Sequence, residues 1–471
     1  MDDTATALKN LVTQAAPGTK SKPIYVIAAD TSELPASAIA WLGANDQKLT
    51  DEFVSLLPAT SIKDGDIAGA VLGIAPEANP FAAGKLARQL PDGHWYFKTI
   101  PDGVDAEQLL LGYLLGSYAF DRYKSRNSSD VILHIPQGVD LELVLRKAKG
   151  VHVVRDMVNT PANDMGPNAI EAAARAVARA HKATVKVITG DDLLAKNFPL
   201  IHAVGRAAAE QPRLVDIKWG RRGAPKLTLV GKGVAYDTGG LNIKPGNSMR
   251  NMKKDMGGAA HMIALADMVM AAKLDVRLRL LIPTVENSIS SGAFRPGDVY
   301  PSRKDITVEI GNTDAEGRLI LADALALADE ETPELLIDFA TLTGAARVAL
   351  GPDVAPFFTD DDTLAAELGD ASTLELDPIW RMPLWKDYAR NLSSTVADCC
   401  NISSDSLGGA ITAALFLQKF VTRARSWVHF DVFAWSTASK PHASVGGEAQ
   451  GLRALFRVLE RRYPPKASSK A

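Results

Sequence analysis

The chain has 471 residues, 46% hydrophobic and 23% charged, with a formal net charge of -3. That length exceeds a single small core and suits two or three domains of an ordinary globular enzyme. The slightly acidic balance supplies no global positive field, so neither nucleic acid nor an anionic membrane is an expected partner.

The start, Met1-Asp-Asp-Thr-Ala-Thr-Ala-Leu8, has no basic beginning and no unbroken apolar core, so no signal peptide is expected. No stretch reaches the roughly 18 consecutive apolar residues of a membrane span. The only cysteines, Cys399 and Cys400, are neighbours and cannot form an unstrained bridge, which points to a reducing, cytoplasmic compartment.

In chain order, residues 1–150 offer an apolar run at Tyr25-Val-Ile-Ala-Ala29, a helical pattern over 106–123 and a strand at Val131-Ile-Leu-His134. Loops carrying Pro76, Pro80, Pro91 and Pro101 separate them, and no charged cluster there resembles a site. This part reads as a smaller N-terminal α/β domain with a structural or assembly role. A long helix is predicted from about 141, ending at Thr160-Pro161, because proline restricts the residue before it.

From 151 to 471, strands predicted at 184–188, 226–230, 276–283, 306–310, 335–339 and 427–432 alternate with helices at 168–181, 252–272, 317–328, 409–422 and 449–461. Near-continuous apolar strands interleaved with helices predict an α/β fold, a mostly parallel sheet sandwiched by helices and forming the catalytic domain. The tail 464–470 is expected to fray.

Open sheets of this kind bind ligands beyond the carboxyl ends of their strands. Two charged segments are expected there. The first, after strand 226–230, reads Gly231-Lys-Gly-Val-Ala-Tyr-Asp237, continues to Lys244, and is followed by Met252-Lys-Lys-Asp255. The second, after strand 306–310, reads Asn312-Thr-Asp-Ala-Glu-Gly-Arg-Leu319.

Asp237, Asp255, Asp314 and Glu316 would bring about four negative charges into one cleft, where they repel unless cations neutralise them. Two divalent ions would do so, and would also clamp a substrate and activate water, so a hydrolase is expected. Asp314 and Glu316, two residues apart on an extended turn, can reach one region. Each acid alone reads as a solvated loop residue or a cap; the set does not.

Lys232 stands between Gly231 and Gly233, which would let the backbone pass close to a ligand. Alone it suggests a phosphate binder. The phosphate-loop pattern fails, however, with Lys226 at the first glycine position and Gly233 where Ser or Thr belongs. A dinucleotide fingerprint fails at Tyr236. Lys244 could stabilise a carbonyl oxygen as it gains charge, and Arg318 could hold an oxyanion bidentately, with a salt bridge as its plainer reading.

Histidines are scattered, with no His-Glu-x-x-His, so a histidine-based zinc site is not expected and His429 reads as a satisfied strand residue. The run Asp360-Asp-Asp362 reads as a helix cap. A two-metal phosphoesterase would share the ions but lacks histidine ligands and leaves Lys232 unexplained.

Asn312-Thr-Asp-Ala-Glu-Gly-Arg-Leu319, residues 230–245, and Met252-Lys-Lys-Asp-Met-Gly-Gly-Ala-Ala260 closely resemble the leucyl (cytosol) aminopeptidase family. Arg155-Asp-Met-Val-Asn-Thr-Pro161 and Ile411-Thr-Ala-Ala-Leu-Phe-Leu417 are similar to further family segments. The likeness covers about 150–460.

It implies a metalloaminopeptidase with two divalent ions per subunit, manganese or zinc. Asp237 and Glu316 would bridge them, Lys232 and Asp255 would complete the tighter site, and Asp314 the more exchangeable one. Lys244 would polarise the scissile carbonyl, and bicarbonate at Arg318 would shuttle a proton. The substrate's free amine would bind near Asp255. Met252, Thr341 and Gly344 would line the pocket for the first side chain. Peptide substrates and a homohexamer are further implications. Two places depart from the pattern: His429-Phe-Asp-Val-Phe-Ala434 brings a bulky Phe433 beside the pocket, and Cys399-Cys400 replaces small or polar residues.

Overall fold

A computed structural model of the chain describes residues 2–16, 18–28, 30–59, 66–74, 79–125 and 130–466, without the side chains of Asp2 and Asp3. Ala29, Pro76 and the end of the tail from 467 onward lie outside the described residues. The chain divides into two units, one of residues 1–152 with 436–445, the other of 153–435 with 446–471.

The first unit is built on a six-stranded sheet of β1 (Val12–Thr13), β2 (Ser21–Ile27), β3 (Glu52–Pro58), β4 (Ile67–Ile74), β5 (Gly93–Thr99) and β6 (Val131–His134). Its order is β1-β6-β5-β2-β4-β3, parallel except for the β3–β4 hairpin. The helical pattern expected over 106–123 forms only over Ala106–Gly116, and Asp105 caps it by accepting from the Glu107 amide.

In the second unit the main sheet comprises β7 (Thr184–Thr189), β8 (Arg213–Gly220), β9 (Lys226–Gly231), β10 (Gly233–Asp237), β11 (Arg277–Asn287), β14 (Leu335–Ala340), β15 (Ala355–Phe358), β16 (Ile379–Arg381) and β18 (Trp427–Asp431). A small separate sheet holds β12 (Val299–Pro301), β13 (Thr307–Glu309) and β17 (Cys399–Cys400). The main order is β16-β15-β18-β14-β9-β11-β8-β7, with β10 paired to β11. The centre, β18-β14-β9-β11, is parallel, and antiparallel strands complete the edges. This is a mostly parallel α/β sheet, as the apolar runs imply.

Burial on both faces explains why β14 is apolar but for Asp338, whose carboxylate pairs with Trp427 Nε1 and His429 Nδ1. Leu336 and Ala340 pack with Leu319, Ile320 and Leu325 of helix Gly317–Asp329 on one face. On the other, Phe339 stacks on His261 of helix Gly257–Ala271, ring centroids 5.4 Å apart. A single helix expected over 252–272 is instead a 3-10 turn, Met252–Met256, leading into Gly257–Ala271. Helices Leu141–Asn159 and Pro167–Ala180 follow expectation closely, and Asp361 caps helix Asp362–Glu375 through the Leu364 amide.

One buried acid ties helices together. Asp323, fully buried, accepts from the Leu200 and Ile201 amides through one oxygen and from the Arg303 amide through the other. Asp323→Asn would aim an amide N–H₂ at a donor on one side. The expected cost is about 2–3 kcal/mol, read as a melting midpoint lowered by several degrees.

Candidate metal centre

The expected strand 306–310 does not lie in the main sheet. Its core, β13, pairs with β12 and β17 instead, so the acidic segment 312–318 reaches the centre from the small sheet. The meeting point is the carboxyl end of β9 and β14. Lys232 follows β9 directly, its amide donating to Phe339 O and its carbonyl accepting from Ala259 N. Gly231 and Gly233 serve this crossing. A Cβ on Gly231 would lie 2.7 Å from the Ala259 Cα, and one on Gly233 2.8 Å from the Pro283 carbonyl. They let backbone meet backbone, and not a ligand as the sequence suggests.

Around Lys232 the expected acids converge. Its ammonium lies 2.8 Å from Asp255 Oδ2 and 3.0 Å from Glu316 Oε1, and donates to Thr341 O at 2.9 Å. Lys244 sits 2.8 Å from Asp237 Oδ2 and 2.5 Å from Asp314 Oδ1. Oxygens of Asp237, Asp255 and Glu316 fall within 4.8 Å of one another, and all three residues are buried. Asp314 stands at the edge, joined to them through Lys244. Glu316 itself has helical backbone at the start of helix Gly317–Asp329, not the extended turn expected. A side chain on Gly317 is barred, since its Cβ would lie 2.5 Å from Lys232 Cε.

The electrostatics are those of an acid cluster short of positive charge. Burial, together with Asp237 and Asp255, pushes the Glu316 carboxyl well above the usual range against the pull of Lys232. Burial and Asp237 push Asp314 up to about 6. Burial opposes the Lys232 charge, yet Asp255, Glu316 and Asp237 overcome it and hold its pKa above the ordinary lysine value.

Asp255 Oδ2, Glu316 Oε1 and Asp314 Oδ1 are buried and close to ammonium groups, but none has an aligned hydrogen bond among the described residues. Hard oxygen donors with free lone pairs, packed this closely, fit divalent cations.

Residues to which the sequence assigns no such task hold these groups in place. Asn287 donates to Asp237 Oδ1 at 2.8 Å, opposite it in the β10–β11 register, and also to Thr313 O. Thr341 Oγ1 donates to Asp255 Oδ1 at 2.8 Å. Asn401 accepts from the Gly311 amide and, through its carbonyl, from Arg318 at 2.6 Å.

This last contact places the two cysteines: β17 pairs with β13 and so delivers Asn401 to Arg318. Arg318 is buried, with no carboxylate within 4.0 Å among the described residues, and its Nε has no partner. The plain salt-bridge reading of Arg318 therefore fails. His429 is only half satisfied: Nδ1 meets Asp338 Oδ1 at 2.6 Å, while the buried Nε2 has no hydrogen-bond partner among the described residues.

A cavity of about 240 Å³ opens beside the acids, lined by Lys232, Asp314, Glu316, Arg318, Thr343 and Gly344. Of the three residues expected at the pocket, Gly344 lines this cavity and is exposed, while Thr341 is buried and Met252 partly buried. Clustered carboxylates, two lysines and a spare guanidinium at the end of a parallel sheet define a metal-dependent hydrolase.

Residues 152–456 match the cytosol aminopeptidase family, catalytic domain, and residues 30–136 the M17 aminopeptidase N-terminal domain. A probable cytosol aminopeptidase of Geobacter sp. (strain M21) is 38% identical over 373 residues, 76% of this chain and 75% of that protein. The crystal structure of cytosol aminopeptidase from Coxiella burnetii aligns with a TM-score of 0.91 at 44% identity, over 96% of this chain and 100% of that one. The bottromycin maturation enzyme BotP in complex with Mn aligns at 0.84 and 31% identity, over 94% and 100%. The chain belongs to the cytosol aminopeptidase family. It is a metallo-exopeptidase that hydrolyses N-terminal peptide bonds using a dinuclear metal site. Among the described residues no helix is long and apolar enough to cross a membrane.

Proposed function

We propose that Lys232, Asp237, Asp255, Asp314 and Glu316 would hold the two divalent ions, manganese or zinc. The observation that carries this assignment is the convergence of three buried carboxylates within 4.8 Å around an ammonium they outnumber. The manganese complex of BotP supports that choice of metal. When bound, such ions supply Lewis acidity towards a carbonyl and make water acidic enough to attack near neutral pH.

The remaining steps belong to the chain's own groups. Lys244, held between Asp237 and Asp314, donates to the substrate oxygen as charge develops on it. Arg318, with an unpaired Nε, would hold a small anion, bicarbonate, which when bound would supply a proton relay. The free amine of the peptide seats near Asp255, which restricts cleavage to the first bond. Met252, Thr341 and Gly344 flank the first side chain. The boundary near residue 150 separates this catalytic part, 151–471, from an N-terminal domain with a structural or assembly role in a homohexamer, and the enzyme works in the cytoplasm.

The test is elemental analysis of purified protein beside a panel of aminoacyl amides and a phosphate ester. Two ions per chain and amide hydrolysis lost on chelation are expected, with the ester inert. Asp314→Ala should lose one ion and most turnover; full turnover with both ions retained would remove Asp314 from the ligand set.

A further inference from the structure

The 3-10 turn Met252–Met256 carries a lysine the metal centre does not use. Lys254 is 92% buried, the complement of its 8% exposure, and among the described residues no carboxylate lies within 4.0 Å of its ammonium. Its contact is the face of Phe433, 4.9 Å from the ring centroid. Its neighbour Lys253 is accounted for, donating to Asn159 O at 2.6 Å. Asp255 and Asp431 act on Lys254 only from further away, and both are engaged: Asp255 with Lys232 and Thr341, Asp431 with Thr343 Oγ1 and the amides of Leu342 and Thr343. A second cation meets the same ring. The Arg347 guanidinium, one turn into helix Gly344–Leu350, lies 4.8 Å from the Phe433 centroid and has no carboxylate partner among the described residues.

Phe433 is held firmly at this point. Its amide and that of Ala434 donate to Gln450 Oε1 at 3.0 and 2.9 Å, and Val432 N donates to Ala340 O. The Ala434 and Thr341 methyls crowd the same spot, 2.6 and 2.9 Å from where Gly257 would carry a Cβ. The ring lies between the turn that bears Met252 and the helix that begins at Gly344, meeting a cation from each. Ring–cation contact alone falls well short of what burying an ammonium costs. A lysine so placed is completed by an incoming carboxylate, and a phenyl ring shortens the space a leucine side chain would need.

We propose that Lys254, with Arg347 beside it, makes the pocket for the first side chain selective for a carboxylate, so that peptides beginning with aspartate or glutamate are preferred. Phe433 shuts that pocket to long apolar side chains. The inference rests on the reading that Met252, Thr341 and Gly344 flank that side chain.

The experiment compares kcat/KM of the manganese-loaded protein on aspartyl, glutamyl, alanyl and leucyl amides. Acidic amides should exceed leucyl amide by at least about tenfold, the scale of one charge-assisted hydrogen bond in a shielded site. Lys254→Met should collapse the aspartyl/leucyl ratio by a similar factor, Lys254→Arg should keep it, and Phe433→Ala should raise leucyl turnover relative to aspartyl. Crystals soaked with L-aspartate should place the side-chain carboxylate within hydrogen-bonding distance of Lys254 Nζ. A leucyl preference in the native enzyme, or a ratio unmoved by Lys254→Met because both substrates fall in parallel, would overturn the inference while leaving the aminopeptidase intact. Failure to hydrolyse any amide would instead sink the catalytic assignment, and this inference with it.

Discussion

Glu316→Ala is expected to lower kcat/KM on a leucyl amide by at least a thousandfold, roughly the several kcal/mol that metal activation contributes. Glu316 is 1% exposed and touches Lys232, with burial, Asp237 and Asp255 all acting against its charge. A carboxylate kept there at such electrostatic cost is retained for a cation. Its removal leaves Lys232 still paired with Asp255 at 2.8 Å, so the fold should tolerate the change. The loss should fall on metal content, below two ions per chain, and on the melting increment that metal confers. A variant that keeps both ions and full turnover would show that Glu316 is not a ligand.

Lys232→Met should behave in the opposite way, with its largest effect on the stripped protein. The lysine is 3% exposed and is the ammonium on which Asp255, Glu316 and the Thr341 carbonyl converge. Methionine nearly fills its volume but leaves two buried carboxylates without their nearest cation. Breaking a buried pair in this manner costs about 3–5 kcal/mol, so the chelated variant should melt roughly 10 °C below the chelated parent. In manganese the deficit should shrink, because the ions supply the missing charge. Equal deficits with and without metal would mean that Lys232 does not neutralise these acids. Turnover should fall as well, since its amine is one of the assigned ligands.

The legible part of the fold was the part that burial writes into composition. β14 is buried at every position, and a strand covered on both faces is apolar save where a polar group finds a buried partner, as Asp338 does in His429. Strands β8 and β15 gave no such signal: β8 runs out to the exposed residues Lys218 and Gly220, and β15 has four residues. β13 was found but misplaced. Three residues carry too little pattern to choose between sheets, and its partners lie near positions 300 and 400.

The site residues were legible because acids and isolated cations gather in two short segments. Asn287, Asn401 and Thr341's hold on Asp255 were not, since a polar side chain that orients a ligand looks like any loop residue until strand register brings it opposite. Phe433 stood out as bulky, but its pairing with Lys254 and Arg347 joins three distant segments.

The pairing of β9 with β14 has a temporal consequence. Lys232 and the Thr341 carbonyl that accepts its hydrogen bond stand at the ends of adjacent parallel strands about a hundred residues apart in the chain. Parallel neighbours separated this widely join late, after a long loop has closed. During translation, then, the acids at 237, 255, 314 and 316 leave the ribosome before the scaffold that gathers them exists. Nascent chains present scattered carboxylates with weak affinity for any ion, and metallation should mark the end of folding instead of guiding it.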